Sequence, residues 1–196
     1  MIMIFSCLFT GCVNQHPKDS KKSSQGESVE TMLEITDPKE KQAVLNAKAK
    51  VKALSGNPRI VATSPAVADI CDKLDLDLVG VPKSSVSKIP SRYKKVKKVG
   101  LAMSPDMEIV SSLNPDWILA PSSLETDLKP KFEELKNTEY AFLNLRSVQG
   151  MYRSVQELGE IFGKQQEAEK MTKEFTTFYK SYTKRNKNKK HPKVLV

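Results

Sequence analysis

The chain has 196 residues, of which 39% are hydrophobic and 28% are charged. This length suits one substantial domain with part of another, and no run of about 18 apolar residues predicts a membrane-spanning helix. The formal net charge is +9, but most of it lies in residues 164–196, which hold ten basic and three acidic residues. That segment lacks the aromatic and glycine pattern of a surface that binds single-stranded nucleic acid. We therefore expect it to form a solvated helix face and a linker, and we expect no nucleic-acid partner.

The first 12 residues are similar to a bacterial lipoprotein signal. An apolar run over Met1–Phe9 is followed by Thr10-Gly11-Cys12 and then by a polar stretch. We therefore predict a signal over residues 1–12, with Cys12 lipidated and the chain tethered to a membrane through it. The positive n-region of an export signal is missing. An ordinary buried N-terminus is the alternative.

The three cysteines are Cys7, Cys12 and Cys71. No pair has the spacing of a zinc site, and an odd count argues against a disulfide framework. Because Cys71 falls on a predicted helix over residues 65–75, we expect it to be a small buried hydrophobic residue.

Residues 13–57 are predicted to be a polar tether and a short helix. The segment 13–30 is polar and of low complexity, which is typical of a linker. Asp37-Pro38 then begins a helix that runs through Lys52. The apolar residues on one face of this helix are Ala43, Val44, Ala47 and Val51.

Strands and helices alternate after residue 58. Strands are predicted over residues 60–63, 78–81, 96–99, 117–120 and 140–145, and helices over 66–74, 105–113 and 124–135. This order predicts an α/β fold in which helices cover a parallel sheet. We assign residues 58–146 to this lobe.

A long helical connector is predicted over residues 147–190. Its apolar positions step by three or four from Ser147 to about Asn186, and Gly163 is expected to break it in two. The second piece would span about 36 Å, which is long for a helix that only caps a small sheet. Residues 191–196 are predicted to form the first strand of a second lobe.

The segment Gly100–Val110 carries the strongest functional signal. Ser104 and Pro105 are predicted to be the N-cap and first turn of a helix. Met103 would then lie on a loop at the start of that helix, where side chains tend to carry function. If Met103 were only a hydrophobic staple, its partner position in the helix would hold an apolar residue, but that position is Glu108. Packing of Met103 against the neighbouring Ile109 is the alternative.

Five segments together resemble the class III substrate-binding proteins of ABC transporters, and among them the haem-binding lipoproteins of the iron-regulated surface determinant systems of Gram-positive bacteria. They are Arg59-Ile-Val-Ala-Thr-Ser-Pro65, Leu78-Val-Gly-Val-Pro82, Val99-Gly-Leu-Ala-Met-Ser-Pro-Asp-Met-Glu108, Leu113-Asn-Pro-Asp-Trp117 and His191-Pro-Lys-Val-Leu195. The resemblance covers about residues 59–196. It implies the Rossmann-like first lobe of a bilobal fold, a long inter-lobe helix, and haem held between the lobes by a methionine and a histidine.

The resemblance assigns the methionine ligand of the haem iron to Met103, and a thioether is a known haem ligand. It also places the haem propionates at helix starts and polar loops near the carboxyl ends of strands. The candidates are Ser64, Pro65, Ala66 and Val67 in one helix start and Ser84 and Ser85 in the next loop. Serines that only cap turns are the alternative.

Two further features follow from the resemblance. Glu108 matches an acidic residue that faces the ABC permease, and a plain first-turn helix charge is the alternative. Neither His16 nor His191 matches the second-lobe histidine ligand. The resemblance therefore implies half of a haem site, on a chain truncated after its first lobe.

The function implied is that of a haem receptor on the outer face of a Gram-positive cell membrane, which receives haem from cell-surface relay proteins and delivers it to an ABC permease. We expect that the chain is not an enzyme, because the sequence lacks a Gly-rich phosphate-binding loop, a His/Cys cluster with the spacing of metal ligands, and a nucleophile–base pair of specific spacing. The alternatives are a receptor for a ferric siderophore or cobalamin, an enzyme or redox domain on a doubly wound sheet, and a basic interaction protein acting through Lys184–Lys193.

Overall fold

The computed structural model describes residue 35 and residues 37–187. The predicted lipidation site Cys12 and the predicted strand 191–196 lie outside this range. The helices are α1 (Pro38–Lys52), α2 (Pro65–Lys73), α3 (Met107–Ser112), α4 (Glu125–Glu133), α5 (Val148–Phe162) and α6 (Gln165–Asn186). The strands are β1 (Ile60–Ala62), β2 (Leu78–Val81), β3 (Lys97–Lys98), β4 (Gly100–Leu101), β5 (Ser104–Pro105), β6 (Trp117–Pro121) and β7 (Glu139–Leu143).

Five of these strands form one parallel sheet in the order β3-β2-β1-β6-β7. The central strand β1 is buried along its whole length, as a strand covered on both faces must be. Two short 3₁₀ helices, Ser91–Tyr93 and Ser122–Leu124, lie in the connections. The predicted α/β fold with a parallel sheet is confirmed.

Helices cover both faces of the sheet, and side chains alternate between the two faces along each strand. Ile60 and Ala62 of β1 belong to the core that includes residues of α2, α5 and α6. Val61, between them, belongs to the opposite core, which contains Val110 of α3 and Phe132 of α4. The lobe is therefore a three-layer sandwich.

Helix α1, which the sequence places in the tether, packs on this lobe. Its apolar face contacts the core through Val44, Ala47 and Val51. Three ion pairs join it to α5 and β7, namely Glu40–Arg153 at 2.5 Å, Lys48–Glu160 at 2.7 Å and Lys50–Glu139 at 2.5 Å. Partly exposed pairs of this kind contribute at most about 1 kcal/mol each, so the apolar face supplies much of the attachment.

The predicted break at Gly163 is confirmed. Gly163 ends α5 in the left-handed conformation with φ of +70°, and the N–H of Lys164 donates to the carbonyl of Gly159 at 2.7 Å. A glycine adopts this φ without a Cβ clash, which explains its use as the helix terminator. Among the described residues, none of the helices combines the length and apolar composition that a membrane span requires.

Candidate functional site

The carboxyl ends of all five parallel strands meet at one edge of the sheet. We define the carboxyl edge as the loops that follow these strands. They are residues 63–64, 82–90, 99–106, 122–124 and 144–147. Ligands of open α/β sheets bind at this edge, because successive loops converge there. The candidate residues Ser64, Ser84, Ser85 and Met103 all lie in these loops.

Met103 lies at the tip of a β-hairpin. Strands β4 and β5 pair antiparallel, with Gly100 opposite Pro105 and Leu101 opposite Ser104, so that Ala102 and Met103 form the turn. The side chain of Met103 is 73% exposed. A soft thioether is thus presented to solvent at the carboxyl edge.

The predicted start of the following helix was wrong. Ser104 and Pro105 form strand β5, and the N-cap is Asp106, whose Oδ1 accepts a hydrogen bond from the N–H of Ile109 at 3.1 Å. Helix α3 therefore begins at Met107. Both Ser104 and Asp106 are good caps by type, and the pairing of β5 with β4 decides between them. Glu108 remains in the first turn of α3 and is exposed.

Gly100 fixes the geometry of the hairpin. Its φ is +95°, and a Cβ at this position would lie 2.9 Å from the N of Asp106 and 3.1 Å from the O of Ser104. A residue with a side chain would therefore be strained and would clash with backbone. The N–H of Asp106 also donates to the carbonyl of Val99 at 2.8 Å, which closes the base of the hairpin.

The start of α2 is capped by its own residues. The Oγ of Ser64 accepts from the N–H of Val67 at 3.3 Å, and the N–H of Ala68 donates to the carbonyl of Ser64 at 3.0 Å. Pro65 has no N–H, so in this described turn the N–H of Ala66 is the donor left for an anion. Ala66 is exposed, whereas Ser64 and Val67 are buried.

The two candidate serines after β2 differ in their surroundings. Ser84 is half-buried, and its Oγ accepts from the N–H of Ser87 at 3.0 Å. Its hydroxyl hydrogen is still able to donate to a ligand, because a hydroxyl is both donor and acceptor. Ser85 is exposed, and the neighbouring Val86 is 96% exposed.

The site residues predicted from the sequence did not include the basic side chains at the carboxyl edge. Lys83 and Lys88 follow β2, and Arg146 follows β7, whereas Asp106 is the acidic residue of these described loops. All four are exposed. The signal that finds the cations is position, because each one comes shortly after the end of a parallel strand. This charge balance favours an anionic ligand.

Exposed apolar side chains are also concentrated here. Val86, Leu101, Met103 and Val148 lie in the carboxyl-edge loops or at the adjoining start of α5, and each is more than half exposed. The described residues contain no group of three or more His, Cys, Asp or Glu side chains arranged to hold a metal ion. A ligand at this edge would thus meet an apolar surface, one thioether and scattered cations.

The sequence profile of the periplasmic binding protein family matches residues 60–196. The chain is 36% identical over 143 residues to the high-affinity heme uptake system protein IsdE of Staphylococcus aureus strain Newman, a match that spans 72% of this chain and 48% of that protein. The chain thus spans about half the length of the curated relatives it matches.

Solved structures give the same relationship. An ABC transporter substrate-binding protein from Listeria monocytogenes EGD-e matches with a TM-score of 0.67 and 42% identity, over 70% of this chain and 52% of that one. S. aureus IsdE complexed with heme matches with a TM-score of 0.65 and 33% identity, over 70% and 53%. The siderophore binding protein BauB shares the fold, with a TM-score of 0.59 and 23% identity, over 69% and 51%. The chain therefore belongs to the periplasmic binding protein family, among the class III substrate-binding proteins of ABC transporters.

Proposed function

We propose that the chain is the first lobe and inter-lobe connector of a haem-binding lipoprotein that delivers haem to an ABC importer. Haem is the transported cargo, and the lobe binds it without performing chemistry on it. Met103 supplies one axial ligand of the iron from the tip of its hairpin. The exposed position of this thioether at the carboxyl edge is the observation that carries the proposal.

The apolar and charged groups around Met103 suit the rest of a haem molecule. Leu101 and Val86 offer apolar contact for the porphyrin, whose faces are hydrophobic. The propionates would bind the N–H of Ala66 and the hydroxyls of Ser84 and Ser85. Lys83 adds a positive charge beside these serines.

The carboxyl edge presents these groups on an open surface, so it would contact haem from one side only. A second axial ligand would come from the second lobe of the longer protein, or from water. We therefore expect this chain alone to bind haem weakly. In the longer protein, lipidated Cys12 would hold the receptor at the outer face of a Gram-positive membrane, and exposed Glu108 would pair with the permease. Cell-surface relay proteins would supply the haem.

Titration of the purified chain with haemin tests the proposal. We expect a Soret band that saturates in the wild type and that is lost or shifted in Met103→Ala. Leu45→Ala is a matched control, because Leu45 is another exposed apolar residue, 57% accessible, on α1. Equal spectra and affinities for Met103→Ala and the wild type would reject Met103 as the ligand.

A ferric siderophore is the second candidate cargo. The cations Lys83, Lys88 and Arg146 suit an anionic iron chelate as well as haem propionates. In that case Met103 would only contribute apolar surface, and Met103→Leu would bind the cargo as well as the wild type. Competition between haemin and a ferric siderophore for the same chain separates the two candidates.

A further inference from the structure

One end of the parallel sheet carries a run of lysine residues. Lys97 and Lys98 form β3, which pairs with β2 on one side, and in the described part of the chain no strand pairs with its outer side. Lys94 and Lys95 lie in the turn that leads into β3, and all four lysines are exposed. We define the lysine edge as Lys94, Lys95, Lys97 and Lys98.

The positive charge of the lysine edge is not neutralised by the protein itself. Residues 78–105 contain no Asp or Glu, and none of the four lysines forms an ion pair with a described residue. The neighbouring Arg92 differs, because its guanidinium donates to Asp75 at 2.9 Å and to Asp77 at 2.8 Å. Four like charges close together repel one another, so an anionic partner would stabilise them.

Protection of the sheet from unwanted strand pairing explains only part of this charge. A very short strand and a charged side chain each make an edge unsuitable for pairing, and β3 has both features in Lys97–Lys98 alone. Lys94 and Lys95 lie outside the strand, after the 3₁₀ helix Ser91–Tyr93. Their charges are therefore not needed for that purpose.

The lysine edge lies at the other end of the sheet from β7, which leads into the helical connector. Four strand spacings separate β3 from β7, which is about 19 Å. Helix α6 packs antiparallel on α5, because Phe175 stacks on Tyr152 with ring centroids 4.5 Å apart and a Cβ at Gly159 would lie 2.7 Å from the Cβ of Ala168. A lobe that continues from α6 would therefore start beside the first turn of α5, near the carboxyl end of β7. The outer side of β3 is not the surface that such a lobe would cover first.

The arrangement of the four lysines suits an extended anionic surface. Successive side chains of a strand point to opposite faces of the sheet, so Lys97 and Lys98 straddle the edge and do not converge on one small anion. The neighbouring aromatic residue, Tyr93, is only 2% exposed, and its hydroxyl donates to the carbonyl of Leu76. It therefore offers no stacking surface for a nucleic-acid base. A negatively charged plane laid against the edge would meet all four lysines.

We propose that the lysine edge binds the surface of an anionic phospholipid membrane. This choice of partner rests on the proposed lipid anchor, since a tether through Cys12 would keep the lobe beside a membrane, but it does not depend on haem as the cargo. The contact is electrostatic and without insertion, because Val96 is half-buried and Val99 is buried. Each lysine close to such a surface contributes roughly a fivefold increase in binding.

Co-sedimentation with phospholipid vesicles tests the proposal. The full chain carries Cys12→Ala in every sample, so that a lipid anchor cannot contribute. It should bind vesicles of equal parts phosphatidylglycerol and phosphatidylcholine but not vesicles of phosphatidylcholine alone, and salt should weaken the binding. Replacement of all four lysines of the lysine edge by Gln should reduce the binding on the order of 100-fold. Absence of binding to the anionic vesicles would overturn the proposal. Failure of the lipid anchor is a separate result, because membrane fractionation of cells that carry the wild-type chain or Cys12→Ala measures it.

A second set of substitutions separates the lysine edge from the general positive charge of the chain. Four other exposed lysines lie on α6 or directly after it, and their replacement by Gln makes the same change in net charge; they are Lys170, Lys173, Lys184 and Lys187. This control variant should keep most of the vesicle binding, and circular dichroism of both variants should match the wild type. An equal loss of binding in the control would contradict the assignment. Binding of soluble polyglutamate through the lysine edge, without binding to anionic vesicles, would assign this surface to an acidic protein and overturn the membrane contact.

Discussion

The backbone N–H of Lys83 donates a hydrogen bond of 2.6 Å to the carbonyl oxygen of Gly100. This bond joins the loop after β2, which carries Ser84 and Ser85, to the hairpin that carries Met103. The proposed propionate contacts at Ser84 and Ser85 and the proposed iron ligand are thus parts of one hydrogen-bonded unit. The spacing between them depends on a backbone contact and on the conformation of Gly100.

Replacement of Gly100 should disturb haem binding without any change to a ligand-contacting side chain. In Gly100→Ala, the φ of +95° and the Cβ contacts with Asp106 and Ser104 oppose the hairpin. We expect a loss of about 1–2 kcal/mol in unfolding free energy from the strained backbone. We also expect a Soret spectrum displaced toward that of Met103→Leu.

The control for this variant is Gly56→Ala, because a Cβ at Gly56 would meet no atom within 4 Å. Urea unfolding and haemin titration of the two variants give the comparison. A Gly100→Ala chain with wild-type stability and wild-type spectrum would show that the hairpin conformation is unimportant for the site.

The attachment of α1 should weaken as pH rises. Burial, a hydrogen bond to Glu40 and the like charge of Glu40 raise the pKa of Glu157 to about 7, and Arg153 only partly opposes this. A carboxyl group with a raised pKa stabilises the fold while it is protonated. Its contribution is full below the unfolded pKa of about 4.5 and is lost as pH rises through about 7.

The stability of Glu157→Gln relative to the wild type should therefore increase as the pH rises from 5 to 8, because the wild-type carboxyl group ionises over this range and the amide does not. Glu160→Gln is the matched variant on the same helix, because a hydrogen bond to Lys48 lowers the pKa of Glu160. Glu160 stabilises the fold when ionised, so its replacement should cost more at pH 8 than at pH 4. Melting temperatures report both effects, at about 2–4 °C per kcal/mol for a chain of this size. Parallel pH profiles for both variants would refute the assigned environments.

The thiol of Cys71 should be unreactive in the folded protein. Its side chain is completely buried in α2, and this burial raises its pKa to about 12. Because the thiolate is the nucleophile, alkylation by iodoacetamide at pH 8 should require unfolding. Peptide mass spectrometry before and after denaturation measures this, with the added thiol of a Ser85→Cys variant as the exposed control. Rapid native labelling of Cys71 would place it outside the core.

Much of the lobe could be predicted because local signals and the fold agree. The alternation of short buried strands with capped helices predicts the parallel sheet, Ser64 lies at the start of α2 as expected, and Gly163 ends α5. The hairpin at Met103 could not be predicted, because Ser104 and Asp106 carry equal local cap signals and a strand pairing chooses between them. The packing of α1 was missed for a similar reason. Its ion pairs join residues more than eighty positions apart, beyond the reach of any local pattern.

The proposed cargo site depends most directly on the sulfur of Met103. Met103→Leu keeps the size and the apolar character of the side chain and removes only the thioether. The decisive measurement compares the absorption spectra of the ferric haem complexes of the wild type, Met103→Leu and the control Leu45→Ala. We predict that Met103→Leu alone shifts the Soret band and weakens haem binding. Three identical spectra with equal affinities would contradict methionine ligation, and with it the proposed haem site.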